Sequence, residues 1–305
     1  MKKILLFSAF IIIILLLLKV NYGFSSFDKQ KFTAFEYNLS KPEKTYILPE
    51  SLNEISGITT INQHQIACVQ DEIGSIFIYD LIEGAIIKEY TSDLIGDFEE
   101  LALVDNTMYL LRSDGVLIEK INYTSTSGQM KEYHLNLPSA NNEGLCFDKK
   151  NHRLLIAAKS KAAKEIENKD IRLIYGFDLK RKRMNPTAIF KLSVDKIEEK
   201  ARKMHIPVAV RTIKKTGKEV SNFNFRPSAI AMHPFEHLIY ILSSSDNLLL
   251  ILNQKGDIIN LLSLDAVLFN KAEGITFLPD GDMLISNEAQ KGKPTLLKFK
   301  YTKKK

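Results

Sequence analysis

Apolar and polar residues alternate over short runs along most of this chain, and turn sequences containing Gly, Asn and Asp separate the runs. Such alternation predicts half-buried β-strands, because successive side chains of a strand point to opposite faces of the sheet. One short phrase recurs, in which Glu or Ser is followed in most copies by a small residue and then by an aliphatic one. Its copies occupy residues 55–60, 98–103, 142–147, 227–232 and 272–277.

The spacing of these copies predicts the architecture. Their equivalent positions are 56, 99, 143, 228 and 273, separated by 43, 44, 85 and 45 residues, so that one interval is about twice the others. A repeat of about forty to forty-five residues built from short strands is typical of β-propeller blades. In the first repeat the strand patterns cover 54–61, 65–70, 75–81 and 85–90. The sequence therefore predicts an all-β fold, a five-bladed β-propeller.

The two ends of the repeat array predict how the propeller closes. The last repeat ends one strand short, whereas an isolated strand pattern at 44–48 has no neighbouring hairpin partner in the sequence. Closure removes exposed sheet edges, and a lone N-terminal strand can complete the last blade of a propeller. We therefore expect the strand at 44–48 to be the fourth strand of blade five.

The double interval predicts an insertion. Residues 194–204 place Ile197, Ala201 and Met204 at helical spacing, and a polar stretch follows them. We expect a short helix and a loop within 193–222, inserted after blade three. A degenerate extra blade, which would make the propeller six-bladed, is the alternative.

The first 24 residues have the pattern of an export signal. Lys2 and Lys3 precede an apolar run over 4–18 that only Ser8 interrupts, and Lys19 follows. A positive segment before an apolar run is typical of secretory signals, and the positive end stays in the cytoplasm. Because no small-x-small cleavage sequence follows, we expect an uncleaved signal-anchor, and a cleaved signal peptide is the alternative. The predicted organisation is a membrane anchor at 1–24, a linker at 25–45 and the propeller at 46–302.

Composition and charge exclude some partners. The chain has 305 residues and a net charge of +6, from 42 Lys and Arg against 36 Asp and Glu. The basic residues form no stripe interleaved with aromatic residues, so no nucleic-acid partner is predicted. Cys68 and Cys146 fall in different blades, and we expect both to be buried free thiols rather than a disulfide.

The repeat also predicts a polar site at one end of the central channel. The innermost strand of each blade lines the channel of a propeller, so equivalent residues at the start of these strands form a ring. Three of the five are carboxylates, which repel one another unless they stay hydrated or a cation neutralises them. Oxygen ligands without His or Cys suit Ca²⁺ better than Zn²⁺. The candidate metal ligands are Glu99, Glu143, Glu273, Ser56, Ser228, Glu288 and Asp71, where the last two belong to an outer layer with Asp114 and Ser243.

The site could be a simple polar, water-filled channel, and two functional interpretations are open beside it, a binding module and an enzyme. The sequence has no G-x-S-x-G, H-E-x-x-H or P-loop motif, and its six His residues lack ligand spacing. We therefore predict no catalytic residue and favour a binding or signalling module with a protein or small-molecule ligand. The alternative is a hydrolase of phosphatase or lactonase type that uses a channel metal. Such an enzyme needs cationic groups at the metal, and Arg112 and Lys159 lie near the expected rim.

The repeated phrases resemble those of the SdiA-regulated (YjiK-like) family of bacterial proteins. The matching segments are 54–58, 97–99, 142–144, 226–229, 272–275 and 286–288, and the resemblance covers about residues 46 to 301. It implies a membrane-anchored, extracytoplasmic five-bladed propeller related to NHL repeats, located on the periplasmic side of the inner membrane. It also implies a Ca²⁺ site with Glu99, Glu143 and Glu273 among the ligands. The chain departs from the family at Glu100, where Gly is usual, and at Lys159 and Ser160, where an acidic residue is usual.

Overall fold

The structure is a computed structural model that describes residues 36–125, 128–139, 141–160, 170–290 and 292–303. Residues 37–301 form one compact unit, and the described residues outside it are Glu36 and 302–303. The predicted anchor at 1–24 and most of the predicted linker lie outside the described residues. Among the residues that are described, no helix is long and apolar enough to cross a membrane.

The compact unit contains five sheets arranged as the blades of a propeller. The chain enters through a single strand, β1 (Lys44–Ile47). Blade one comprises β2 (Ile55–Thr60), β3 (Gln65–Gln70), β4 (Ile76–Asp80) and β5 (Ala85–Tyr90). Blade two comprises β6 (Phe98–Val104), β7 (Thr107–Arg112), β8 (Val116–Ile121) and β9 (Met130–His134).

Blade three comprises β10 (Asn142–Asp148), β11 (Arg153–Ala158), β12 (Ile171–Asp178) and an outer edge divided into β13 (Arg183–Met184) and β14 (Phe190–Ser193). After a hairpin of β15 (Val210–Thr212) and β16 (Glu219–Ser221), blade four comprises β17 (Ala229–Met232), β18 (Ile239–Ser243), β19 (Leu248–Leu252) and β20 (Ile258–Ser263). The last three strands are β21 (Ala272–Phe277), β22 (Met283–Asn287) and β23 (Thr295–Phe299).

The propeller closes through its first strand, as the sequence predicts. Strand β1 pairs antiparallel with β23, from Lys44 opposite Lys298 to Ile47 opposite Thr295. Tyr46 on this strand is buried and meets the ring of Tyr79 edge-on, so that β1 also packs against blade one. The five inner strands contact one another in the cyclic order β2, β6, β10, β17 and β21. The five-bladed prediction is confirmed, and the six-bladed alternative is wrong.

The core is divided among the interfaces between neighbouring blades. Alternating side chains of each sheet meet those of the next sheet, which gives separate apolar clusters between blades five and one, one and two, two and three, and three and four. Blades four and five meet through aromatic rings, where His233 stacks on Tyr240 and contacts Phe277. Although His233 follows an inner strand in a turn, its side chain is fully buried and its Nε2 lies 2.9 Å from the Tyr37 hydroxyl.

The long interval in the repeat is an insertion between blades three and four. Helix α1 (Val194–Lys203) begins at Ser193, whose side chain accepts a hydrogen bond from the Lys196 amide, as an N-cap should. Ile197 and Ala201 are buried against the apolar cluster that blades three and four share. The helix prediction is confirmed, but the polar stretch after it contains a hairpin, β15–β16, that the sequence pattern does not reveal.

The outer edge of blade three differs from the single strand that the sequence predicts. A single fourth strand is predicted at 188–192, whereas β12 pairs with two short strands, β13 and β14. Residues 185–189 between them contain Pro186, which lacks an amide donor and cannot continue a ladder. Cys68 and Cys146 are buried and free, as predicted.

Candidate functional site

Polar residues converge at the end of the channel where the inner strands begin. Four of the five inner strands carry a β-bulge close to this end. Glu143 is the extra residue in β10, between Asn142 and Gly144, and Glu99 and Glu273 are the extra residues of β6 and β21. Bulges re-aim side chains and are common beside functional sites. The three glutamates, called the carboxylate ring below, are therefore set by a deviation from the regular sheet.

Glu143 has an unusual environment within this ring. Its side chain is 3% exposed, and its Oε1 lies 2.5 Å from Lys159 Nζ and accepts a hydrogen bond of 3.0 Å from Asn141 Nδ2. Its Oε2 is buried and has no hydrogen-bond partner among the described protein atoms. A buried oxygen without a partner is rare, because it loses its hydration without compensation. One side of the Glu143 carboxylate is thus left for a group from outside the protein.

Glu99 and Glu273 interact electrostatically with Glu143. Burial, followed by the charges of Glu143 and Asp97, raises the pKa of Glu99 to about 9. Burial also raises the pKa of Glu273 to about 7, where Glu143 adds to the increase and Lys159 opposes it. The pKa of Glu143 is raised as well, because burial outweighs the nearby ammonium group of Lys159. The carboxylate ring therefore favours protons or another cation over three free negative charges.

Lys159 is the central cation of the site. It follows β11 directly, and its amide donates to the Asn141 carbonyl, which holds the residue next to the start of β10. Burial lowers its pKa, but Glu143 and the other ring carboxylates, Glu273 and Glu99, outweigh that effect and raise the pKa overall. The ammonium group stays charged and neutralises one of the three ring charges.

A second lysine links the ring to the outer layer. Lys271 forms an ion pair with Glu288, and its Nζ is 4.0 Å from Glu273 Oε1. Its backbone has a φ of +59°, a left-handed conformation that is uncommon for a lysine. The Glu288 amide donates to the Lys271 carbonyl and thereby holds this conformation. Residues in sparsely populated backbone regions concentrate at functional sites, where the surrounding structure enforces them.

Asp71 belongs to an adjoining acidic cluster rather than to the ring itself. Burial and then the charges of Glu54 and Glu288 raise its pKa to about 6. Its Oδ1 is buried without a hydrogen-bond partner among the described atoms. Next to it, a cavity of about 630 Å³ opens between blades one and five, and its lining includes Glu50, Glu54 and Glu72. Through Glu288, this acidic cluster is continuous with the carboxylate ring.

The two predicted serines occupy the remaining ring positions. Ser56 is in the bulged region of β2, and its hydroxyl donates to the Glu54 carbonyl. Ser228 directly precedes β17, and its hydroxyl donates to the Ala272 carbonyl. Both hydroxyl protons are used within the protein, but both oxygens keep lone pairs for a further contact.

The other outer-layer candidates, Asp114 and Ser243, have protein partners. Asp114 Oδ2 is 2.5 Å from Arg112 Nη2, an ion pair with both side chains partly exposed. The Ser243 hydroxyl accepts from the Arg226 amide and donates to Asp246. None of these contacts links either residue directly to the carboxylate ring.

Glu100 differs from the ring glutamates. It is 1% exposed and lies between blades one and two, where a Cβ on Gly57 would clash with Glu100 Oε1. Its Oε1 accepts from the Leu101 amide, and burial raises its pKa well above the usual value. A Glu where a small residue is usual thus fills space left by Gly57 in the neighbouring blade, and its protonated form is favoured.

The ring residues satisfy part of what a Ca²⁺ site requires. All donors are oxygens, and when a divalent cation displaces the protons that the raised pKa values favour, three ionised carboxylates and the Lys159 ammonium leave two negative charges for it to balance. Among the described channel residues, no three carboxylates place an oxygen each within 4.8 Å of one another. The donor chemistry therefore fits a Ca²⁺ ion that keeps several water ligands, rather than one enclosed by protein oxygens.

The repeat predicts the positions of the ring glutamates but not all of their partners. In the sequence Lys159 lies only near the expected rim, and nothing singles out Lys271 or Asn141. Lys271 precedes Glu273 by two residues and Asn141 precedes Glu143 by two, so the signal was a polar residue at the same offset.

Mostly aliphatic and aromatic residues line the opposite end of the channel, together with three threonines. A cavity of about 130 Å³ there is lined by inner-strand residues that include Leu101, Leu145, Cys146, Ile230 and Phe277. Burial raises the pKa of the Cys146 thiol, which makes it unreactive. The ionisable chemistry of the channel is therefore confined to the end with the carboxylate ring.

No protein-family profile matches this chain, and no curated protein matches it in sequence. Solved structures match its fold. Myxococcus xanthus glutaminyl cyclase is 13% identical and has a TM-score of 0.56, with 86% of this chain and 96% of the cyclase covered. A streptogramin B lyase is 14% identical with a TM-score of 0.44, over 84% of this chain and 97% of the lyase. At such identities the likeness to the cyclase concerns the fold alone.

Proposed function

We propose that this protein is an extracytoplasmic, membrane-tethered β-propeller that binds Ca²⁺ at its carboxylate ring and acts as a binding or signalling module of the cell envelope. The observation that carries the Ca²⁺ site is the buried Oε2 of Glu143, which has no partner among the described protein atoms. Its neighbours Glu99 and Glu273 have raised pKa values, so a divalent cation could replace protons there. The SdiA-regulated resemblance supports the same assignment.

The tether and the location rest on the sequence. Lys2 and Lys3 followed by the apolar run at 4–18 match an N-terminal anchor that holds its positive end in the cytoplasm. This orientation would place the propeller on the periplasmic side of the inner membrane. A ligand would then reach the carboxylate ring from that compartment, where the adjoining acidic cavity of about 630 Å³ offers room for it.

Calorimetric titration tests the Ca²⁺ site directly. Ca²⁺ added to the metal-free protein at neutral pH should bind with one-to-one stoichiometry and release protons, because Glu99 and Glu273 have raised pKa values. The proton release is measured from the change in binding enthalpy between buffers of different ionisation enthalpy. Glu143→Gln should weaken binding by at least about tenfold, the usual result of removing a hydrogen-bonded charge.

The matched control is Glu132→Gln, the same change on the exposed outer strand of blade two. It should leave the Ca²⁺ affinity unchanged. Absence of a binding heat, or equal binding by the wild-type protein and the Glu143→Gln variant, would contradict a Ca²⁺ site in the carboxylate ring.

A metal-dependent hydrolase is the second candidate, and the position of Lys159 favours it. A phosphoester or lactone hydrolase needs a cation beside the metal, and Lys159 Nζ lies 2.5 Å from Glu143 Oε1. A pKa of about 7 at Glu273 also suits general acid–base chemistry at neutral pH. Assays with aryl phosphates and lactones, with Ca²⁺ present, test this candidate. Turnover that Lys159→Met abolishes would support it, and no turnover of either class would exclude these reactions.

A further inference from the structure

The hairpin β15–β16 stands apart from the propeller sheets. Its strands pair only with each other, from Val210 opposite Ser221 to Thr212 opposite Glu219. The Gly217 amide donates to the Ile213 carbonyl, and Gly217 has a φ of +65°, which closes a tight turn over 214–217. An isolated two-stranded hairpin is marginally stable in water. A hairpin of this kind would be stabilised by contact with another surface.

Apolar side chains at this hairpin are exposed. The side chain of Val210 is 54% exposed and that of Ile213 is 39% exposed, and every residue from 209 to 219 is solvent-exposed. Neither residue belongs to any of the apolar clusters between the blades. Their exposure is not compensated within the described part of the chain.

Basic side chains surround these apolar residues. Residues 210–221 contain four bases and one acid, a net charge of +3. None of the four bases forms an ion pair with a carboxylate of the described residues, in contrast to Arg202 and Lys203 of α1. The four are Arg211, Lys214, Lys215 and Lys218.

The insertion that carries the hairpin leaves and rejoins the propeller at the face of the carboxylate ring. It runs from the end of β14 through α1 and the hairpin to the start of β17, and inner strands start at that face. Ser193 at the end of β14 pairs with Ile171, just beyond the Lys159 end of β11. A surface that contacts the hairpin therefore adjoins the face on which the carboxylate ring opens.

We propose that hairpin β15–β16 is a membrane-contact element that binds the surface of an anionic phospholipid bilayer. Val210 and Ile213 enter the interfacial region, and the four bases contact headgroup phosphates. Charge complementarity selects this partner, because basic clusters are attracted to anionic lipid while long Lys and Arg side chains keep their charges at the interface. Apolar residues flanked by Lys and Arg are also the pattern of surface-bound membrane segments. This assignment is independent of Ca²⁺ binding.

Because the chain contains no Trp, the fluorescence of a single introduced Trp reports only on its own position. The complete chain carrying Ile213→Trp is mixed with vesicles of phosphatidylcholine alone or with phosphatidylglycerol added. With the anionic vesicles, we expect tryptophan emission to shift to shorter wavelength and to be quenched by brominated acyl chains. Added salt should reverse the effect, because it screens exposed charges.

Two variants control the measurement. Ile82→Trp places the probe at a position that is 66% exposed in the turn after β4, at the opposite face, and it should not respond to either lipid. Adding Lys214→Gln and Lys215→Gln to Ile213→Trp should weaken the hairpin–bilayer association by about fivefold per lysine. Circular dichroism confirms that each variant is folded.

Three results would overturn the assignment. The Ile213→Trp emission could be the same in buffer and with anionic vesicles, or Ile82→Trp could respond equally. The probe could also respond to soluble polyphosphate but not to vesicles, which would make the hairpin a site for soluble polyanions.

Discussion

Lys159 and Glu143 form the interaction on which the polar site most depends. The pair is partly buried, and the second Glu143 oxygen has no partner among the described atoms. Removing one member of such a pair leaves the other as an uncompensated charge in a poorly hydrated place. Lys159 is thus the charge on which the buried Glu143 carboxylate depends.

Lys159→Met should lower the free energy of unfolding by about 2 kcal/mol at pH 8. The loss should be smaller at pH 5, because Glu143 has a raised pKa and can take up a proton there. Urea denaturation of the wild-type protein and the variant at pH 8 and pH 5 measures both losses in the free energy of unfolding. The control is the double variant Lys159→Met with Glu143→Gln, which should recover part of the loss. Equal losses at both pH values would show that Lys159 does not stabilise the protein through its ion pair with Glu143.

The raised pKa values also determine whether the stability of the folded protein rises or falls with pH. Glu273 titrates at about 7 and Glu99 at about 9 in the folded protein, against 4.5 when exposed, so the folded state binds more protons between these limits. Stability in EDTA should therefore fall as the pH rises from about 5 to 9. Glu273→Gln should remove part of this slope, on the order of 2 kcal/mol between pH 5 and 8. Thermal unfolding of both proteins between pH 5 and 9 measures this fall in stability. A stability of the wild-type protein that rises with pH would contradict the raised pKa values.

Residue-level prediction from sequence succeeded where the repeat placed equivalent residues. Glu99, Glu143 and Glu273 were identified by spacing, and the bulges that present them lie at those positions. The ion pairs of Lys159 and Lys271 were not predicted, because they depend on side-chain directions in different strands. The burial of His233 is likewise not evident from the sequence, since Tyr37 and blade five cover it only in the folded chain.

At the scale of elements, strand β1 determines whether the ring of blades is closed. It contributes the outer strand of blade five, and it buries Tyr46 whereas the next residue, Ile47, is exposed. In the sequence this strand is recognisable as an isolated strand pattern at 44–48. Hydrophobic periodicity likewise located most other strands to within about one or two residues.

Tyr46→Ala should destabilise the protein by about 3–4 kcal/mol, the usual cost of removing a buried aromatic side chain. The matched control is Ile47→Ala on the same strand, where the side chain is 56% exposed and the loss should be below about 0.5 kcal/mol. Urea unfolding of both variants gives the comparison. Similar small losses for both would mean that β1 does not hold the propeller closed.

The elements that escaped prediction lack a clear apolar period. Strands β15 and β16 are three residues each and almost fully exposed, so no buried face marks them in the sequence. The fourth strand of blade three is divided where Pro186 interrupts the pairing, and its predicted bounds merged the loop with the strand. Helix α1, by contrast, buries one face against blades three and four and was identified from that face.

At the scale of the whole molecule, the channel has two unlike ends. One carries the carboxylate ring with Lys159, and the other is lined mainly by aliphatic and aromatic side chains. The insertion that carries hairpin β15–β16 also leaves and rejoins the propeller at the face with the ring. This asymmetry is the basis for placing ligand binding and membrane contact on that face.

The most direct test of the Ca²⁺ site is thermal unfolding of the complete chain in EDTA, followed by titration with Ca²⁺ or Mg²⁺. A cation that binds only the folded state stabilises it by about 2.7 kcal/mol at a hundredfold excess over Kd, which corresponds to a rise in Tm of roughly 5 °C. We predict such a rise with Ca²⁺, a smaller one with Mg²⁺, and neither in the double variant Glu143→Gln with Glu273→Gln. An unchanged Tm at all Ca²⁺ concentrations, or a rise that persists in the double variant, would contradict Ca²⁺ binding at the carboxylate ring.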